Sequence, residues 1–138
     1  MNNIEKKDIS LDSVPKIYCA LSLFFDLNIN INLFIEELNR IGIFDIRYSK
    51  PKSEKLINFD IAIINYEHLW TLEEALTKMF SNVDNCIVEL KKLVEKYNGE
   101  IYIDIAFCQY GTYPALLFNG MNMEKIHFLN ANISIDPY

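Results

Sequence analysis

The sequence predicts one α+β domain in which a single, mostly antiparallel sheet carries helices on one face. Three observations predict it. Several segments alternate apolar and polar residues with a period of two, one side of each being wholly apolar and the other mixed. One long segment instead holds an apolar stripe of helical period. In its 138 residues the chain has 51% hydrophobic and 23% charged residues, with only four Gly and four Pro, a composition that builds a packed core and excludes disordered or collagen-like classes.

Residues 1–15 are polar and aperiodic, and are expected to form a loosely held arm ahead of a single domain over 16–138. Ile17, Cys19, Leu21, Leu23 and Phe25 alternate with Tyr18, Ala20, Ser22 and Phe24, which predicts a first strand over 16–25. Asn30 or Asn32 is placed to cap a helix whose apolar positions are Ile31, Phe34, Ile35, Leu38 and Ile41, with Gly42 ending it. Ile46 and Tyr48 suggest a brief extended stretch, and the basic group Arg47, Lys50, Lys52 and Lys55 around Pro51 reads as a solvated loop patch.

Ile57, Phe59, Ile61 and Ile63 define the inward side of a second strand ending near Tyr66. Trp70 follows it and is expected to pack over the strand end. Thr71 and Glu74 have capping-box spacing, which starts a helix whose stripe runs through Leu72, Leu76, Met79, Phe80, Val83, Leu90, Leu93 and Tyr97 to the Asn98-Gly99 stop. Ser81-Asn82 interrupts that helix with side chains that compete for backbone hydrogen bonds, and marks a kink or split.

Ile101, Ile103, Ile105 and Phe107 define a third strand, and residues 115–118 a short fourth. Asn122 is placed to cap a brief helix through Leu129, and alternation about Ile133 and Ile135 gives a last strand stopped by Pro137.

Function classes narrow by subtraction. The longest nearly apolar run, 17–25, falls far short of the roughly 20 residues of a spanning helix, and the N-terminus has no apolar run behind Lys6 and Lys7, so a cytoplasmic protein is expected. Cys19, Cys86 and Cys108 show no C-x-x-C spacing and read as reduced core thiols. His68 and His127 lack metal-ligand spacing, no phosphate-binding or nucleophile motif is present, and neither a catalytic site, a metal nor a cofactor is expected. A net charge of −6 argues against nucleic acid and for a basic protein partner.

The informative pattern is the outward register of the strands. Ser22, Asn58, Asp60, Tyr102, Asp104, Ser134 and Asp136 all fall opposite apolar positions. Asp60, Tyr102, Asp104 and Asp136 are therefore the candidate partner-binding residues, with tyrosine as anchor and carboxylates as steering charge.

The opening strand "YCALSLFF", the helix after "NIN", the strand ending in Trp70, "TLEEALTKMFSNVDNCIVELKKLVEKY", the strand "EIYIDIAF" and the closing "IHFLNANISIDPY" together span about residues 16–138. In these features the chain resembles the bacterial family called domain of unknown function 4279, which is similar to immunity proteins against polymorphic or contact-delivered toxins. The resemblance implies a protein that neutralises a basic toxin domain by stoichiometric binding, without turnover. The alternative expectation is a small-molecule-binding or regulatory domain using the sheet face or a pocket beneath Trp70.

Overall fold

The computed structural model describes residues 14–49, 56–108, 114 and 119–137. Its elements run β1 (Lys16–Asp26), α1 (Ile31–Arg40), β2 (Arg47–Ser49), β3 (Leu56–His68), α2 (Leu72–Ser81), a 3-10 turn (Asp84–Cys86), α3 (Ile87–Lys96), β4 (Glu100–Cys108), α4 (Gly120–Leu129) and β5 (Asn132–Pro137). Residues 1–13 of the N-terminal arm expected over 1–15, the basic loop at 50–55 and the strand over 115–118 lie outside the described residues, while Val14 and Pro15 of that arm are described and buried.

The five strands form one sheet in the order β2-β3-β1-β4-β5. Three of its pairings are antiparallel, but β4 and β5 are parallel, so the sheet is mixed where a mostly antiparallel one was expected. The cause is the crossover: α4 lies between the two strands and carries the chain back to the starting end of β4, as parallel neighbours require.

Local chemistry explains the helix ends. Asn30 caps α1 by accepting the Leu33 N–H at 3.1 Å, and Gly42 follows with φ 103°, a conformation that costs glycine little. Thr71 caps α2 in the same way through Glu74 N–H, at 3.0 Å. Only half of the expected capping box forms, because the Glu74 carboxylate meets the Thr71 hydroxyl instead of its backbone. The predicted long helix splits at the expected place: Ser81 Oγ donates to Lys78 O, and Asn82 Nδ2 reaches Lys78 O and Met79 O, each at 3.3 Å.

The cap of α4 differs from expectation. Asn119, not Asn122, is the N-cap, and it accepts the Asn122 N–H at 2.9 Å. Asn122 is buried one turn in, where its amide donates to Glu73 and, at 3.0 Å, to Thr77, tying α4 to α2.

β3 also departs from simple alternation. The β1–β3 register slips between Leu21↔Ala62 and Ser22↔Asp60, leaving Ile61 as the extra residue of a bulge. Beyond it Ala62 and Ile64 turn inward, opposite Leu21 and Cys19, while Ile63 turns outward opposite Ala20. The expected inward place of Ile63 is thereby corrected.

The described helices cover one face of the sheet. Phe34 of α1 packs its ring 4.6 Å from Phe25 and 4.9 Å from Phe59, and Tyr97 closes on Phe34 at 5.4 Å. Cys19 of β1 meets Met79 of α2, sulfur to sulfur, at 3.4 Å. Leu90, Leu93, Val94, Ile126 and Leu129 bring α3 and α4 into the same cluster. Leu90→Ala, at a fully buried position, is expected to lower unfolding free energy by about 2–5 kcal/mol in urea denaturation.

Candidate functional site

Register places the four candidate residues on one side of the sheet, opposite the described helices. Asp60 of β3 faces Ser22 of β1, Ser22 faces Tyr102 of β4, Ala20 faces Asp104, and Ala106 faces Asp136 of β5. Directly paired residues share a face, and so do residues two apart in one strand. A band of side chains thus crosses four adjacent strands, from Asp60 through Ser22 and Asp104 to Asp136.

Two members of this band were not foreseen in their present roles. Ser22, expected on a solvated face, is only 1% exposed, and its hydroxyl donates to Asp60 Oδ1 at 2.6 Å. It lies on the central strand, paired in register with Asp60 of β3 and Tyr102 of β4. Arg47 of β2, read from sequence as part of a loop patch, pairs in register with Asp60 and brings a positive charge to the edge of the acidic band.

Electrostatics reflects the crowding. Partial burial pushes the Asp104 carboxyl above its ordinary range, Asp60 and Asp136 add to the rise, and contact with the Ser22 hydroxyl opposes part of it. Burial, followed by the fields of Asp60 and Asp104, likewise raises the Tyr18 phenol, whose ring stands 5.4 Å from that of Tyr66. Tyr102 is raised by its hydrogen bond to Glu100, and its ring meets Phe24 edge-on at 5.1 Å. Asn58 shares this face, opposite Phe24, and its Oδ1 is buried with no hydrogen-bond partner among the described residues.

Because the folded pKa of Asp104 lies above its unfolded value, its contribution is most favourable below the ordinary carboxylate range and is lost as pH rises through the folded pKa. Asp104→Asn should therefore be at least as stable as the parent at neutral pH, and the advantage should shrink as pH falls through that window. Urea melts across a pH series read the difference directly.

The other sites read from sequence are dispersed. Trp70 is 47% exposed instead of packed down over the strand end, and the clefts found among the described residues have other linings. One cleft of about 650 Å³ lies between the α1–β2 turn and the β3 bulge, lined by residues including Asp45, Arg47, Ile63 and Asn82. It touches the acidic band only through Arg47. Among the described residues no three His, Cys, Asp or Glu side chains are arranged to hold a metal ion.

All three cysteines are free thiols. Burial, with a smaller push from Asp104, raises Cys19 to about 12, and burial also raises Cys86. Since the thiolate is the reactive form, iodoacetamide at pH 8 is expected to label the half-buried Cys108 first and to spare Cys19 until the protein unfolds. Peptide mass spectrometry checks the order.

The fold and this face define a small α+β domain with an acidic, tyrosine-bearing sheet surface. No described helix is long and apolar enough to cross a membrane. Compared with models of protein families, with curated proteins and with solved structures, the chain matches none.

Proposed function

We propose that this chain is a non-catalytic binding protein that engages a basic protein surface through the sheet face bearing Asp60, Tyr102, Asp104 and Asp136. The observation that carries the reading is the gathering of three carboxylates from three different strands into one band, flanked by tyrosine rings. Carboxylates so placed accept the donor-only side chains of lysine and arginine. Tyrosines supply contact area at low entropic cost. Net charge of −6 steers a cationic partner toward the complex.

Within that class we favour an immunity-type inhibitor of a bacterial toxin domain, acting by stoichiometric occlusion of the toxin's basic working surface. The sequence resemblance supports this narrower reading. Titration of the purified chain with the toxin domain encoded by the adjacent gene tests it. A saturable one-to-one complex that weakens with added salt and abolishes toxin activity is the expected result. No complex, or inhibition at far below one equivalent, overturns it.

A further inference from the structure

We propose that the edge strand β5 pairs antiparallel with β5 of a second copy about a two-fold axis at Ser134, joining two five-stranded sheets into one. No described strand lies beyond β5, and Asn132, Ile133, Ser134, Ile135 and Asp136 are all exposed. An edge strand of this length with no neighbour among the described residues presents N–H and C=O groups that template another strand. The opposite edge, β2, offers only Arg47–Ser49.

The occupant is argued from the strand's own sequence. A two-fold that keeps the helix layers of both copies on the same side must pass through a residue pair, and centring it on Ser134 gives nearly the whole strand an overlap. Asn132 then faces Asp136 of the second copy, Ile133 faces Ile135, and Ser134 faces itself. Each carboxylate meets the Asn132 amide, whose Nδ2 donates one hydrogen to Ile101 O at 3.4 Å and keeps a second for the pair, and no like charge, while Ile133 and Ile135, each 39% exposed beside the core face, cover one another. The two Asp136 carboxylates lie about four residues apart along the strands, roughly 13 Å, beyond the screening length at physiological salt. Arg or Lys on a foreign strand is not needed for this match.

Strand pairing alone buries less than the roughly 1,200 Å² of a standard stable interface, so the dimer should be reversible and concentration-dependent. It would also continue the acidic band of one copy toward that of the other, since Asp136 belongs to both the band and the edge.

Cysteine cross-linking of the full chain tests the register. Ser134→Cys is expected to give a disulfide dimer under mild oxidation, because the paired Cα atoms would stand about 4.5–5.5 Å apart, within disulfide reach. Asn132→Cys and Asp136→Cys, each about 13 Å from its own copy, should not, and the parent chain controls for Cys108. Equal cross-linking at all three positions, or none at any, overturns the proposal. Sedimentation velocity gives a second readout with variants at an exposed position: Asn132→Asp sets like charges opposite and should weaken the dimer roughly two- to thirtyfold, while Asn132→Lys should strengthen it. A merely structural role for Asn132 would not reverse sign with charge.

Discussion

Phe25→Ala is expected to cost about 3–5 kcal/mol, a large share of the 5–15 kcal/mol that holds a typical domain together. Its ring is the hub of the aromatic cluster, meeting Phe34 at 4.6 Å, Phe59 at 5.8 Å and Tyr97 at 6.4 Å in edge-on contacts. Truncation therefore removes apolar area and three favourable ring pairs at once. The same ring explains Gly99. A Cβ built there would come within 2.1 Å of Phe25 Cε1, and the ring cannot swing aside because its three aromatic neighbours hold it. Gly99→Ala is thus expected to destabilise by about 1–3 kcal/mol through overpacking. Combining it with Phe25→Leu should cost less than the sum of the two single changes, since the smaller side chain vacates the clash. Urea denaturation with an unchanged m-value is the measurement. Strict additivity of the pair would show that the two residues do not share that space.

Gly99 illustrates what the sequence conveys and what it hides. As a helix stop, Asn98-Gly99 is legible: the Gly99 N–H bonds Val94 O at 2.9 Å, closing α3. The left-handed residue of that stop is Asn98, at φ 56°, so glycine is needed for room against Phe25 and not for its backbone freedom. No local pattern contains that contact, which joins β1 to the start of β4.

The strands divide in the same manner. Alternation in 16–25 and 101–108 places every inward residue of β1 and β4, because one side of each segment is continuously apolar. In β3 the stretch Ile61-Ala62-Ile63-Ile64 is apolar throughout, so a bulge that advances the phase by one residue leaves no mark in polarity. Pairing direction is equally silent in alternation. β5 has the same period whether it runs parallel or antiparallel to β4, and only the α4 crossover decides. Asn119 and Asn122 are chemically identical cap candidates three residues apart, and the choice between them is made by Glu73 and Thr77 on a distant helix.

For the acidic band, parity within each strand indicates which residues point outward, but strand order decides whether they meet. β3, β1, β4 and β5 being neighbours in that order converts four separate outward carboxylates and tyrosines into one surface. Arg47 was the missed member. Its opposite parity to Tyr48 was available in the sequence, and the short β2 that gives this parity meaning is recognisable only once it is seen paired with β3.

Charge reversal on that surface is expected to have the largest functional effect. Asp60→Lys and Asp136→Lys together exchange two carboxylates of the acidic band for ammonium groups, so the basic partner proposed above would meet repulsion in place of attraction. Losses of several kcal/mol are typical when such contacts are close, with slower association as the main kinetic sign. Asp104 is better tested as Asp104→Asn, because its partial burial makes a lysine there a folding hazard, and its neighbour Ser22 is buried. Raising ionic strength should reproduce part of the loss in the parent and little in the reversed variant, since exposed charges beyond about 8–10 Å are screened near physiological salt. Arg47→Glu supplies the opposite arm: it removes the cation paired in register with Asp60 and should tighten the proposed complex. Calorimetric titration against the proposed toxin partner, with circular dichroism confirming the fold, reads all three variants. Unchanged affinity in the double lysine variant alongside intact structure moves the interface off this face.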